Sequence, residues 1–389
     1  MISVEEAKKI LEGIPVHPVI EEVSVDLALR RVLGRDIVSG INMPPFNKSA
    51  MDGYALQSGD ASDRFEIIRV IPAGVVPGKK IQKGQCARIM TGGMVPEGAG
   101  RVVKREVTVE EEGFMRIVAE DRNLNICYRG EDIKTGDVVL KKGVIIRPPE
   151  IAVIASMGLA GVAVYRRPAV SIIATGSELV EPGRPLAGGQ IYDSNSSSLA
   201  AQVMQAGALV KRHGAAVDSP EKIQEAIEQA MHDSDIVLIS GGVSAGDFDY
   251  VPDVLKDLGF TLLFEKVSIK PGMPTVFGAL ENHYIFGVPG NPVSSFIIFE
   301  VFIRPFLLGM MGRPYIPEII PGIMKDAFTR KKADRTAYIP VHYMNGSVRR
   351  LAYHGSAHIH ALSRANGLLC VPEGVETIPA GSKVDVLQL

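Results

Sequence analysis

Residues 235–250 read DIVLISGGVSAGDFDY, and the fold turns on this stretch. Asp235 to Ile239 is a short run rich in β-branched residues, bounded on its far side by Gly241 and Gly242. A buried parallel strand that empties into a tight loop has this form. Glycines there permit positive φ and a close backbone approach to a ligand. Ser240 and Ser244 add hydroxyls, and Asp247 and Asp249 follow two residues apart, suited to a divalent cation or to a ligand amino or hydroxyl group. A strand ending in glycines, hydroxyls and carboxylates points to something phosphorylated or oxyanionic.

The same rhythm flanks this stretch on both sides. AVSIIATGSELV (169–180) reads as a strand ending in Thr175, Gly176, Ser177 and Glu178. SNSSSLAAQVMQAGA (194–208) reads as a helix with a serine cap at Ser194 or Ser196. LVKRHGAAV (209–217) is a second strand, and DSPEKIQEAIEQAMHDS (218–234) a helix with Pro220 in its first turn. A helix through Leu255 and Leu258 follows the opening strand. YIFGVPGNPVSSFIIFEVF (284–302) gives another strand, a turn of Pro289, Gly290, Asn291 and Pro292, and a long helix. Strand and helix in alternation predict a doubly wound parallel sheet. Its ligand crevice lies beyond the C-terminal strand ends, where these three loops converge. The chain contains neither a GxxxxGK[ST] P-loop nor a GxGxxG fingerprint.

Composition bounds the rest. At 389 residues the chain is too long for one ordinary core, which predicts two to four domains. A net charge of −2 gives no basic field for nucleic acid or an acidic membrane, so an anionic ligand needs a local cluster of cations. Cys86, Cys127 and Cys370 are widely spaced and form no CxxC pair, which excludes a disulfide framework and suits a cytoplasmic protein. The N-terminus has the pattern of a surface helix over 3–12, not a signal peptide. The apolar run from Ser295 to Met311 carries Glu300, Arg304 and Pro305, and reads as a buried helix, not a membrane span.

The N-terminal half changes texture twice. Val23 to Val32 continues in helical style, and Pro44-Pro45 breaks it. Residues 63–134 are short β-like runs, with a hairpin turn at the EEEG of 110–113. Residues 148–168 resume with a helix after Pro148-Pro149 and then a strand. This helix is expected to pack on the N-terminal helices, which makes the β region an insertion. Beyond the linker at 314–321 the chain is β-like again, with an Asn345-Gly346 hairpin step. The expectation is an α/β multidomain protein. A discontinuous N-terminal helical/mixed domain takes 1–41 and 135–167, and a β-rich inserted domain takes 42–134. The doubly wound parallel-sheet domain spans 168–313, and a small C-terminal β domain spans 314–389.

Nine motifs occur in order: SAMDGYA (49–55), MTGGMVPEGA (90–99), RGED (129–132), ATGSELV (174–180), YDSNS (192–196), SGGVSAGDFDYV (240–251), KPGMPT (270–275), GVPGNPVSS (287–295) and SRANGL (363–368). The set resembles the MoeA-type molybdopterin molybdenumtransferases, the family of the gephyrin E domain, over essentially the whole chain. The resemblance implies a MogA-like doubly wound domain. It implies insertion of molybdate into adenylated molybdopterin, with release of AMP and a divalent cation, usually Mg2+. It also implies an elongated homodimer whose cleft lies between the doubly wound domain of one subunit and the β domains of the other, with a molybdopterin adenylyltransferase as substrate donor. Family functional positions fall on Asp52, Thr91, Asp132, Glu178, Asp218, Asp249, Lys266, Lys270, Pro289, Pro292 and Ser356, with Arg335 and Ser356 matching the oxyanion ligands.

The residue types suit that chemistry. Lys270, Arg335, Ser240 and Ser356 can hold a dianion by charge-assisted bonds. Glu178, Asp247 and Asp249 are the candidate carboxylates for Mg2+, which needs few protein ligands beside phosphate. Several positions have plainer readings. Asp218 opens a D-S-P-E capping pattern, Asp249 can cap the next helix, and Lys266 can be a solvated strand residue. Pro289 and Pro292 can simply shape their loop, and Asp52-Gly53 can be a plain turn. Three departures from the family pattern stand out: Met273 where a lysine is expected near the oxyanion, Cys127 in place of arginine, and Gly100 in place of an acid. They leave open a tungstate-preferring relative, or a non-catalytic scaffold of the gephyrin kind.

Overall fold

The computed structural model describes residues 1–243, 249–351, 355 and 358–389; Ser244, Asp247 and Ser356 lie outside the described residues. The chain divides into two compact units, one of residues 22–163 and one of residues 1–21 with 164–389.

Helix α1 (Val4–Glu12) opens the chain, capped by Ser3, whose hydroxyl accepts from the Glu6 N–H. Its Val4, Ala7 and Leu11 join the main core of the larger unit. Within the smaller unit the helical reading of 23–32 is corrected. Val25–Leu27 is a single 3₁₀ turn, and the backbone beyond it is claimed by tertiary pairing. The Arg30 N–H donates to Ile146 O at 2.7 Å and the Leu33 N–H to Val144 O at 2.9 Å.

The smaller unit is built on six strands: β1 (Gly53–Leu56), β2 (Phe65–Ile71), β3 (Gln85–Ile89), β4 (Arg101–Lys104), β5 (Thr108–Glu111) and β6 (Phe114–Ile117). They lie in the order β4-β1-β3-β2-β6-β5. The two faces carry separate apolar layers, one with Tyr54, Phe65 and Met115, the other with Ile71, Ile81 and Ile89. Glu112 and Gly113, at φ 49° and 83°, make the expected β5–β6 turn. Helix α2 (Pro148–Ser156) follows, with its prolines at the start as anticipated.

The larger unit holds the doubly wound sheet. Its strands are β7 (Ala169–Thr175), β10 (Leu209–Ala216), β11 (Ile236–Ser240), β12 (Thr261–Phe264), β14 (Val276–Leu280) and β15 (His283–Val288); the short β8 (Leu179–Val180), β9 (Ile191–Tyr192) and β13 (Ile269–Lys270) stand apart. The order is β10-β7-β11-β15-β14-β12. The first four are mutually parallel, and β14 and β12 add an antiparallel edge. Alternate residues face opposite layers, as the period of a strand requires. Ile172 and Leu238 pack under α3 (Ser194–Ala206), while Ile173 and Ile239 pack under α4 (Pro220–Asp233) and α5 (Val251–Asp257).

The apolar run near 300 is the central core helix. It comprises α6 (Pro292–Ile298), a π turn (Phe299–Ile303) and α7 (Arg304–Met310). Its length and hydropathy would suit a membrane span, yet 72% of it is buried inside the protein. Phe306 packs edge-on against Phe277, Tyr284 and Phe286. Pro305 has no N–H for the helix and crowds the carbonyl four residues earlier, and the wider π turn just before it relieves this clash.

The C-terminal strands β16 (Ile319–Met324), β17 (Thr336–Met344), β18 (Ser347–Arg350), β19 (Gly367–Val371) and β20 (Lys383–Gln388) close on themselves, because β17 pairs with both β18 and β19. Asn345 and Gly346 (φ 49° and 79°) make the expected hairpin turn. Strand β13 extends this sheet by pairing Lys270 with Ala337 of β17.

Candidate active site

Strand register builds the site. Thr175 pairs with Ala216, Ala174 with Ser240, and Ser240 with Val288. The four parallel strands therefore end level, and the loops after them meet at one edge. The chain order reverses between β7 and β11, the switch point where ligands bind such sheets. Gly241 and Gly242 hold the junction tight, with φ of 100° and 65°. A Cβ on Gly241 would lie 2.7 Å from both Thr175 O and Thr175 Oγ1. The Gly241 N–H donates to Val288 O at 3.0 Å, tying this loop to the end of β15.

A cavity of about 100 Å³ opens at the switch point. Thr175, Glu178, Asn195, Ser240, Gly290 and Pro292 line it. Sequence reading passes over Asn195, whose only signal is its place in YDSNS. The structure makes it the clamp of the site: its Nδ2 donates to Ser240 Oγ and to Gly290 O, each at 2.8 Å. Helix α3 that carries it is capped by Asp193, not by Ser194 or Ser196; the Asp193 carboxylate accepts from the Ser196 N–H at 2.9 Å. An ionised acceptor in this position beats a hydroxyl, because it also meets the positive end of the helix.

Asp218 also differs from its capping reading. The cap of α4 is Ser219, which accepts from the Lys222 N–H, and the Asp218 carboxylate reaches instead to the Ser177 N–H at 3.2 Å. For α5 the residue at the cap is Tyr250, not Asp249. Gly176, Ser177 and Glu178 share one turn, with Glu178 exposed and its carboxylate folded over Gly176.

A larger cavity of about 1070 Å³ adjoins the same proline loop. Pro289 and Asn291 face it, whereas Gly290 and Pro292 face the small one. Lys270, Met273 and Arg335 line its wall, with Gly355 beside the Ser356 position. The Arg335 Nε is buried and makes no hydrogen bond among the described residues, though it pairs with the Asp334 carboxylate at 3.8 Å. Arg330 also lines this cavity, but its guanidinium is taken by the carbonyls of Val375, Arg335 and Pro372. Lys266 is exposed and lines neither cavity.

Asp52, Thr91 and Asp132 belong to the smaller unit. Asp52-Gly53 is not a plain turn: Gly53 begins β1, where a Cβ would lie 2.1 Å from Val103 O. Gly53 pairs with Ile89, which brings Asp52 beside the residues after β3. Its carboxylate accepts from both the N–H and the hydroxyl of Thr91, each at 2.7 Å. These two bonds, led by the backbone one, hold the Asp52 carboxyl below the ordinary range, with smaller help from Arg105 and Arg88. Asp132 is exposed, its backbone N–H bonded to Met43 O.

Among the described residues no three His, Cys, Asp or Glu side chains converge as a metal cluster. Glu178 at the mouth of the small cavity and the half-buried Asp249 are the described carboxylates of the expected set. An ion such as Mg2+ takes one or two carboxylates and otherwise water and phosphate oxygens.

Three family models cover most of the chain. The MoeA N-terminal region (domain I and II) matches residues 2–158, a probable molybdopterin binding domain matches 171–309, and the MoeA C-terminal region (domain IV) matches 322–389. The chain belongs to the MoeA family. It is 36% identical to a molybdopterin molybdenumtransferase of Staphylococcus epidermidis, covering 99% of this chain and 95% of the relative. It is 36% identical to the protein of that name from Staphylococcus aureus, covering 94% and 90%. A solved MoeA structure from Pyrococcus horikoshii superposes over all of both chains with a TM-score of 0.83 at 32% identity. The small cavity lies wholly within the molybdopterin-binding match, and the larger one is lined by residues of that match and of the C-terminal match.

Proposed function

We infer that this chain is a molybdopterin molybdenumtransferase of molybdenum cofactor biosynthesis. It takes adenylated molybdopterin and molybdate, and AMP leaves as the phosphoanhydride is cleaved. One observation carries the reading: two cavities flank a single loop, one lined by carboxylates, hydroxyls and an amide, the other by lysines and arginines. The loop of Pro289 to Pro292 separates organic substrate from oxyanion by the thickness of one strand of backbone.

In the larger cavity Lys270 and Arg335 offer positive charge to a tetrahedral dianion, through charge-assisted hydrogen bonds. Met273 contributes a thioether where a lysine would add a third cation. Glu178, with Asp249, would hold Mg2+, which offsets charge on the leaving phosphate. Asp218 fixes the Ser177 backbone and so the turn that carries Glu178. The protein works as a cytoplasmic homodimer and receives substrate from a molybdopterin adenylyltransferase.

The test is AMP release from adenylated molybdopterin with Mg2+, comparing molybdate, tungstate and no oxyanion. Molybdate-dependent release is expected. Release with tungstate alone would make Met273 the mark of a tungsten enzyme. No release from a folded dimer would leave a binding role.

A further inference from the structure

Arg330 lines the larger cavity, and its guanidinium binds backbone on three separate segments. Nε donates to Val375 O at 2.7 Å, Nη1 to Arg335 O at 2.8 Å and Nη2 to Pro372 O at 2.5 Å. A planar forked cation reaches three acceptors in this way, whereas a lysine ammonium is a point charge on a flexible stem. A second clamp holds the same stretch. Ser268, 8% exposed, donates its hydroxyl to Asp334 O at 3.4 Å, and its carbonyl accepts from the Thr336 N–H at 3.1 Å. Three successive polar groups around residue 335 are therefore held: the carbonyls of Asp334 and Arg335 and the N–H of Thr336. Ile269 then pairs with Thr336 and Lys270 with Ala337, so the same seam places Lys270 on the neighbouring strand.

The arrangement bears on the cavity in two ways. Arg335 has a long side chain with many rotamers, and it presents its charge at one place only if its backbone is held. Arg330 supplies that hold through the Arg335 carbonyl. Carbonyls also carry no countercharge. The three bonds fix Arg330 without neutralising it, and its unit charge stays at the wall with those of Lys270 and Arg335. Lys331 and Arg350 line the cavity as well, and no Asp or Glu is among its described lining residues. Like-signed charges gathered at one wall attract a dianion even where they do not touch it. We propose that Arg330 is a positioning residue for the oxyanion: it fixes the Arg335 backbone and adds to the field of the cavity, while Lys270 and Arg335 make the contacts. This rests on the reading of the larger cavity as the molybdate site.

The experiment uses the full chain and sodium molybdate in calorimetry, with AMP release from adenylated molybdopterin followed in parallel. Arg330→Lys keeps the charge and loses the fork. It should weaken molybdate binding about tenfold, the scale of a displaced binding group, and raise the KM for molybdate by more than it lowers kcat. Arg330→Gln loses both; it should bind more weakly still, and with a smaller salt dependence. Arg330 also ties down the turn at 372–375, so a loosened turn is the control. Gly374 sits there at φ 81°, with open space where a Cβ would go. Gly374→Ala strains the turn through its backbone; it should lower the melting temperature and keep the molybdate affinity. An affinity unchanged in Arg330→Lys, or lowered as much in Gly374→Ala, would overturn the proposal and leave Arg330 a structural residue. A wild type that binds no molybdate would overturn it together with the reading of the cavity. A wild type that binds molybdate but releases no AMP would count against the transferase reading alone, and the affinities of the variants would still decide the role of Arg330.

Discussion

The Asp218 carboxylate accepts the Ser177 N–H at 3.2 Å, linking the loop after β10 to the loop after β7 across 41 residues of sequence. The bond sits in an exposed place, so water replaces it readily. Its value is in the backbone position of the Gly176–Glu178 turn. Asp218→Ala should cost less than about 1 kcal/mol in urea unfolding. It should nonetheless lower molybdate-dependent AMP release at least about tenfold, the scale of a misplaced active-site group. A fall in stability that matches the fall in activity would make Asp218 merely structural.

Met273 lines the cavity of Lys270 and Arg335, and it adds no charge there. Met273→Lys should tighten molybdate binding by about tenfold, the worth of one charge-assisted hydrogen bond. The gain should shrink as salt is added, because the cavity is open to solvent. Calorimetry at two ionic strengths checks both points, and unchanged affinity would remove residue 273 from the oxyanion site.

Asp52 is held ionised by the Thr91 N–H and hydroxyl, and its carboxyl titrates below the ordinary value. Its folded pKa is depressed, so the stability it lends is present above the unfolded carboxylate range and is lost as pH falls through the folded pKa. Thr91→Val removes the hydroxyl but keeps the backbone donor. The Asp52 pKa should then move part of the way back up, as read by carboxyl carbon NMR. A pKa that stays put would show that the hydroxyl contributes nothing.

Cys86 is fully buried, and burial pushes its thiol up to about 12. At pH 8 only about one molecule in ten thousand carries the thiolate that reacts. A thiol reagent should therefore modify Cys127 and Cys370 in the native protein and reach Cys86 only on unfolding. Mass mapping of the labelled cysteines reads this directly.

Gly241 sits at φ 100°, with Thr175 O and Oγ1 where its Cβ would be. Gly241→Ala should destabilise by more than about 1 kcal/mol, since both the backbone conformation and the space are wrong for a side chain. It should also displace Thr175 at the end of β7. An alanine accepted without loss would mean that the junction has room to shift.

Much of this was legible in the chain itself. The alternation of strand and helix from Ala169 onward, the three glycine or proline loops, and the Glu112-Gly113 and Asn345-Gly346 turns are local patterns. They depend on period and on backbone freedom, which a residue carries wherever it sits. The family motifs likewise lie in the order of the chain. Other features depended on the fold. Val23 to Val32 has helical spacing, yet residues 144–146 take its backbone hydrogen bonds. Asp193 outcompetes two serines for one helix cap, and Asp218 leaves its own helix to a neighbouring serine. The places of Asn195 and Thr175 appear only when strand register brings distant loops level and leaves their Oδ1 and Oγ1 buried without partners among the described residues. Local patterning thus determined which elements form, because it acts over a few residues. Tertiary packing decided which polar groups remain to be satisfied, because burial and partnership are set by residues far apart in the chain.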